Sequence, residues 1–342
     1  MQEGINVMKQ WFVLPVALCL ALIAIPGHAS PNRNTLVITS SNNATANALL
    51  AFDATGALVQ TISTGGRGGV SGNAGGIAAD GRLVAVVNFG SQSVSLFGFT
   101  HEGLMLTDVV TTLSPPVSVA FGHGHLYVLG TTSVESHKLY RQQVDTATDG
   151  SATLLRADGS AAQVGVAGNQ LLITEKSNAV EVVDLQAGAV TGTPIEVPIP
   201  PGSDTPLGLA TRGSTGYVTI AHSDEVGLVK GGQLTALVGS GSQHAPCWLA
   251  LVGPYLYSSN SPSHSISRYV VSGTHLVLDA ELVAITAGAP TDIGAFGNVI
   301  GVVDGGSETH LTQFAVDDEG NLQQIAVSVV NKGANGVVVV EP

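Results

Sequence analysis

The feature that most constrains this chain is a five-residue string, apolar and ending in a small or polar residue, that recurs seven times. It occurs as "LVITS" ending at Ser40, "VAVVN" at Asn88, "LYVLG" at Gly130 and "LLITE" at Glu175, then as "VTIAH" at His222, "LYSSN" at Asn260 and "IGVVD" at Asp304. The intervals are 48, 42, 45, 47, 38 and 44 residues, a mean of 44. A second alternating run follows each copy, clearest in "SVSLFGF", "AVEVVDL", "SISRYVV" and "LTQFAV", and a third follows in "LMLTDVV", "QLTALVG" and "HLVLDAELV". Another short run precedes the later copies: "GGIAAD", "VSVAFG", "QVGVAG", "LGLATRG", "CWLALVG" and "DIGAFG". Alternation bounded by Gly, Asn, Asp and Ser is the signature of short strands. Four strands in about 40–45 residues make one blade of a β-propeller, and a β-helix would need a much shorter period.

Six innermost strands precede seven second strands, so the first blade lacks one. The chain ends in "ANGVVVVEP", which has the shape of the other innermost strands. A closed ring leaves no unpaired sheet edge, so the terminal strand is expected to complete blade one. The expected architecture is all-β: one seven-bladed propeller domain over residues 30–342, four strands to a blade, with essentially no helix.

Composition agrees. The chain is 44% apolar with 43 glycines, yet only 11% charged and 5% aromatic. That excludes a disordered acidic chain, which would have too little apolar surface to bury. With 25 acidic against 12 basic residues the net charge is −13, spread along the chain, which argues against nucleic acid or anionic lipid as a partner.

The first 29 residues read as an export signal. Lys9 precedes the apolar run "WFVLPVALCLALIAI", and Pro26 and the small-residue exit "GHAS" follow it. Gly27 and Ala29 suit a signal-peptidase site, so cleavage is expected after Ala29 and the mature protein in the periplasm or outside the cell. Met8 offers an alternative start, and a retained membrane anchor is the competing reading. Cleavage removes Cys19 and leaves Cys247 alone, so no internal disulfide is expected in an exported monomer.

Antiparallel order sorts the loops onto two faces. The turns from first to second strand, such as "ADGR", "GHGH" and "VGPY", share the lower face and are short. The loops after the second strands and the links between blades share the upper face and hold most of the polar groups. Ser40, Asn88, Gly130, Glu175, His222, Asn260 and Asp304 are therefore expected around the upper rim, joined by Arg67, Asp204, His244 and Asp292 from the links. On such a rim His222, His244, Glu175 and Asp304 are the candidate catalytic bases for hydrolysing an ester-like bond, since a base activates water and nearby donors hold the oxyanion. Arg67, Asn88 and Asn260 are the candidate substrate-binding residues. The competing reading is a polar, water-filled channel whose strand-end residues serve turns.

Other signals point to structure. The Gly-rich stretch 65–76 lacks the Lys-Ser/Thr ending of a phosphate loop and reads as a long flexible link into the second blade. Cys247 beside Trp248 lies in an innermost strand and reads as a buried, inert thiol. His123 and His125 of "GHGH" lack further ligands at zinc spacing, so neither metal nor cofactor is expected. "NAT" at 43–45 is a glycosylation sequon with meaning only in a eukaryotic secretory pathway.

In "VAVVNFGSQSVSLF", "PPVSVAFGHGHLYVLG" and "HAPCWLALVGPYLYSSNSPSHSISRY" the chain resembles the lactonase-type seven-bladed propellers, which include 6-phosphogluconolactonase-like and carboxymuconate-lactonising proteins and are related to YVTN-repeat propellers. The resemblance spans the mature chain. It implies a pocket at the channel mouth and metal-free hydrolysis or formation of a sugar or carboxylated lactone. The chain departs from the family pattern in places. Family members often carry Arg-His or Pro-x-His ahead of the innermost strand's apolar residues and Asn-Glu at the end of the second strand. Here Ser118 stands at the His place, Asn88 is followed by Phe89, and His244 lies outside the family's spacing. Two functions stay open: a lactone hydrolase, and a non-catalytic propeller whose rim loops bind a ligand, glycan or protein.

Overall fold

The structure, a computed structural model, describes residues 34–342 except Arg82, together with Met1 and Asn32. The expected export signal and its cleavage point, within 2–31, lie outside the described residues. Seven antiparallel sheets stand around one axis. Their innermost strands are Asn335–Val340 in blade 1, Ile77–Asp80 in blade 2, Pro116–Gly122 in blade 3, Ala161–Ala167 in blade 4, Pro206–Arg212 in blade 5, Pro246–Val252 in blade 6 and Ala289–Phe296 in blade 7. Each touches the next all the way round. Six blades have four strands. In blade 3 the outer position is shared by Gln143–Val144 and Gly150–Thr153, which both pair with Ser133–Tyr140. Among the described residues the helical content is two single 3-10 turns, Phe89–Ser91 and Ala221–Ser223.

Blade 1 closes as its missing strand requires. The C-terminal strand pairs antiparallel with Leu36–Ser40, with Val37 opposite Val339 and Ile38 opposite Val338. Val337 and Val339 pack with Val37, Val299 and Leu311 against blade 7, and Val340 packs with Ile38 and Ile77 against blade 2. The end of the chain is thus the wedge between the first and last blades.

The core consists of the contacts between neighbouring sheets, where alternate side chains of one blade meet those of the next. Two buried tyrosines add polar bolts: Tyr127 donates to the Gly188 carbonyl of the following blade at 2.8 Å, and Tyr257 donates likewise to Gly320 at 2.7 Å. "YLYSSNSPSHSISRY" is the end of one strand, a turn and the next strand: Tyr255–Asn260 and Ser265–Ser272 flank a turn in which His264 takes a φ of 49°.

One irregularity repeats. The pairing slips by a residue or more at the upper end of six of the seven innermost strands, between Pro116 and Ser118, Ala161 and Gln163, Pro206 and Leu209, Pro246 and Trp248, Pro290 and Asp292, and opposite Thr39 and Ser40 in blade 1. Such β-bulges bend a strand and re-aim a side chain, and this repeated bend shapes the throat of the channel.

Candidate functional site

The bulges bring Ser118, Gln163, Trp248 and Asp292 to the upper throat, and what they meet there is the protein's own chain. The Gly-rich link from blade 1 to blade 2 crosses the throat, burying Asn73 and Ala74 to 1% and 0% exposure. Asn73 donates to the Val117 carbonyl at 2.5 Å, while its own side-chain oxygen accepts from Asn335 at 3.2 Å and its carbonyl accepts the Trp248 indole N–H at 3.0 Å. Ala74 N–H donates to Ala162 at 3.2 Å and Gly75 N–H donates to Asp292 Oδ2 at 3.1 Å. The Gly75 carbonyl accepts from Val119 N–H at 2.9 Å and from Ser118 Oγ at 3.2 Å. The link read from sequence as flexible is therefore an ordered plug bonded to blades 1, 3, 4, 6 and 7. Its buried backbone groups need partners, and the bulged strands supply them. Lys176 caps the outer side, donating to the Gly72 carbonyl at 2.6 Å, and burial holds its ammonium below the usual lysine range against the pull of Asp158.

Among the described residues that line this throat, Asp292 is the one titratable side chain. Burial pushes its carboxyl up to about 7, opposed by the backbone N–H groups of Ile293, Gly75 and Val337.

The rim residues read from sequence separate into two groups. Asn88, Glu175, Asn260 and Asp304 are fully buried and do not face the channel. The second strand stands one place out from the axis, so the side chain at its end enters the interior of the blade. Asn88 donates to Ser95 Oγ at 2.7 Å and accepts from Thr64 at 2.7 Å, and Asn260 donates to Ser267 Oγ at 2.7 Å. Asp304 accepts from His310 N–H at 3.3 Å and lies 3.1 Å from its Nδ1. Glu175 accepts the Arg156 amide at 3.0 Å and lies against Glu181. Ser40 donates to the Asn335 carbonyl, and Gly130 brings no side chain.

His222 and His244 are exposed on the upper face of blades 5 and 6, each beside a carboxylate. His222, on the turn Ala221–Ser223, places Nδ1 2.9 Å from Thr205 Oγ1 and 3.3 Å from Asp204 Oδ2. His244 places Nδ1 2.9 Å from Asp224 Oδ2, whose other oxygen accepts the Ala245 amide at 2.7 Å. Burial pushes Asp224 up, but the Ala245 amide, the hydrogen bond of His244 and the charges of His244 and His222 outweigh it and leave the carboxyl below the usual range. Both imidazoles thus act on one carboxylate. The structure brings these two histidines together with Asp204 and Asp224. It does not bring them to Arg67, which lies across the ring with its guanidinium donating to the Gly90 carbonyl at 2.7 Å.

The remaining candidates have structural partners. His125 bonds Asp149 at 2.8 Å and the His123 carbonyl at 2.8 Å, and His123 bonds the Gly168 carbonyl at 2.7 Å. Among the described residues no three His, Cys, Asp or Glu are grouped to hold a metal. Cys247 is buried, and burial pushes its thiol up to about 11, out of the reactive range. Gln163, Trp248 and the plug residue Asn73 were not anticipated as site residues. One signal could have found the first two: the third residue of "PVS", "AAQ", "PCW" and "PTD", at the same place in four blades.

A ring of seven blades with its last strand completing its first sheet is a seven-bladed β-propeller, the fold expected from the sequence. The solved structures similar to this chain agree. A protein described as a putative 6-phosphogluconolactonase from Bacteroides fragilis superposes with a TM-score of 0.67 at 16% identity, covering 91% of this chain and 99% of that one. A periplasmic gluconolactonase from Pseudomonas aeruginosa gives 0.64 at 19% identity, covering 90% and 99%. A functionally unknown protein from Desulfotomaculum acetoxidans gives 0.65 at 12%, covering 87% and 99%. At such identities the likeness establishes the fold. No family model and no curated protein sequence matches the chain.

Proposed function

We propose that this protein is an exported hydrolase of small lactones that works at the upper face of blades 5 and 6. The observation that carries the reading is the two oriented histidines on adjacent blades, His244 on Asp224 and His222 on Asp204. A carboxylate that accepts from Nδ1–H fixes the tautomer in which Nε2 is a free base directed away from it. In this mechanism Nε2 of His244 takes a proton from water as the water oxygen bonds the lactone carbonyl carbon. The tetrahedral oxyanion then collapses, the ring C–O bond breaks, and the leaving alkoxide takes that proton back from the imidazolium, giving a hydroxy acid. His222, when protonated, is placed to steady the oxyanion. This chemistry uses no metal or cofactor. Two observations support the class: two of the solved propellers of this fold are named as gluconolactone-type hydrolases, and the apolar N-terminal run has the form of an export signal. Arg67, Glu175, Asp304, Asn88 and Asn260 are not part of the proposed site.

The test is a panel of lactones, including gluconolactone and muconolactone types, assayed with wild type, His244→Ala and His222→Ala. Loss of a general base lowers turnover roughly 10²–10⁴-fold, so His244→Ala is expected to fall into that range and His222→Ala to lose less. Activity that survives both substitutions would remove the histidines from the mechanism.

A second reading, a non-catalytic binding propeller, is favoured by one specific observation. A groove of about 510 Å³ lies above the plug between 42–44, 69–72 and 332–335, with Trp248, Asn42, Asn43, Asn335 and Lys332 among its walls and no His, Asp or Glu. Such a lining suits hydroxyl-bearing or anionic ligands and supplies no base. No turnover by wild type across the panel would make this reading the preferred one.

A further inference from the structure

The throat plug turns the rest of the central channel into a blind pocket entered from the opposite face. In the innermost strands the upper residues are buried and the lower ones half-exposed: in Pro116–Gly122 the change comes after Val119, and in Pro206–Arg212 after Leu209. Solvent therefore reaches up from the lower face and stops beneath Gly75. The pocket holds about 330 Å³, within the range of small-molecule sites. Val119, Phe121, Val166 and Leu209 make apolar walls.

The blind end is polar. Gln163 accepts the Leu209 amide on its side-chain oxygen at 2.6 Å and keeps its amide nitrogen under Gly75. Asp292 is 3% exposed, and it is the only titratable side chain among the residues that line the pocket. A carboxylate has about four acceptor sites. The amides of Ile293 and Gly75 occupy one site on each oxygen, at 2.8 and 3.1 Å, leaving capacity toward the cavity. No salt bridge to Asp292 forms among the described residues, so a buried carboxylate ends an open cavity without a counter-ion.

We propose that the lower channel is a binding site for a small ammonium with an apolar body, which donates to Asp292 and lays its body on Val119, Phe121, Val166 and Leu209. A buried charge is stabilised by an opposite charge and by little else of this size. An anion would be repelled, and a neutral ligand would gain only apolar contact. The acidic molecule, with 25 carboxylates against 12 basic side chains, also concentrates cations around itself. The plug separates this pocket from His222 and His244, so the site is independent of the proposed hydrolase.

Burial pushes the Asp292 carboxyl up to about 7, and among the described residues that line the pocket no other side chain is titratable. Below that pH the carboxyl carries a proton that must leave when an ammonium binds. Affinity should therefore fall about tenfold per pH unit below 7 and level off above it, until the amine itself deprotonates.

The probes are benzylamine and its neutral counterpart benzyl alcohol, titrated calorimetrically into wild type, Asp292→Asn, Thr211→Trp and His244→Ala. Thr211 lies half-exposed near the lower mouth, where a larger side chain narrows the entrance. Wild type and His244→Ala should bind benzylamine at least about tenfold more tightly than the alcohol. Asp292→Asn should bring the amine down to the level of the alcohol, and Thr211→Trp should weaken both. Equal binding of amine and alcohol by wild type overturns the proposal, as does a folded Asp292→Asn that binds the amine normally. No binding by wild type up to about 10 mM would also overturn it. If Asp292→Asn does not fold, the amine-to-alcohol ratio of wild type and the effect of Thr211→Trp decide.

Discussion

Glu175 and Glu181 lie against each other in blade 4, both at 0% exposure. Each accepts a backbone amide on Oε1 at 3.0 Å, Glu175 from Arg156 and Glu181 from Leu155, and each leaves Oε2 without a donor. Two bare buried carboxylates side by side would repel. Burial first, and then Glu181, drives the Glu175 carboxyl far up from its ordinary value, so the pair shares a proton at neutral pH. A group raised in the folded state stabilises fully below its unfolded value near 4.5 and loses that contribution as pH rises through the folded value. Wild type should therefore lose melting temperature between roughly pH 5 and 9. Glu175→Gln, which keeps the shape and a donor for Glu181, should flatten that decline, whereas Glu175→Ala should cost about 1–3 kcal/mol at any pH by stranding polar groups. Parallel pH–melting curves for wild type and Glu175→Gln would contradict the shared proton. The equivalent place holds Asn88 with Ser95, Asn260 with Ser267 and Asp304 with His310, so three other blades satisfy the same spot with different chemistry. Sequence reading took these residues for a rim because a polar group at a strand end looks alike whether it faces the channel or the inside of a blade.

Among the connections, the plug differs most from its sequence appearance. Eleven residues with six glycines, "GGRGGVSGNAG", read as slack chain, yet Asn73 and Ala74 are as buried as the core. Glycine serves here as access for the backbone. Gly75 has a φ of 62°, and a Cβ there would lie 3.0 Å from Ser118 Oγ and 3.2 Å from Gln163 Nε2. Gly75→Ala should thus cost about 1–3 kcal/mol through strain and crowding. It should also alter the emission of Trp248, whose indole N–H bonds Asn73 in the plug. Unchanged melting and unchanged emission would mean that the plug is not held as described. The bulges that make room for it follow a Pro in four blades, at Pro116, Pro206, Pro246 and Pro290. That Pro lacks an N–H for the ladder, which suits a place where pairing slips.

The whole ring depends on one non-local joint. Residues 335–340 pair with 36–40 across nearly the full length of the chain, and their valines pack against blades 7 and 2 at once. Removing 334–342 would expose the inner edge of blade 1 and strip apolar cover worth roughly 1.5–3 kcal/mol per buried valine. Unpaired apolar edges also seed aggregation. The truncated protein should be insoluble or melt well below wild type, and a soluble truncation with unchanged melting temperature would refute the joint as the closure. A single joint of this range also fits a fold rich in non-local contacts, which closes only after both ends of the chain exist.

The repeat determined by itself the number of blades, the strands in each, the two faces and the identity of the closing strand. These follow from periodicity and from the cost of an open edge, both of which are local or countable along the chain. Tertiary structure alone decided which polar residues share a space. The side chain at the end of a second strand turns into its own blade, and His222 meets His244 only because neighbouring blades abut. The glycine-rich link fills the throat only because five blades offer it hydrogen-bond partners there. Those partners lie from dozens to hundreds of residues away, and no spacing along the chain encodes the angle at which two blades meet.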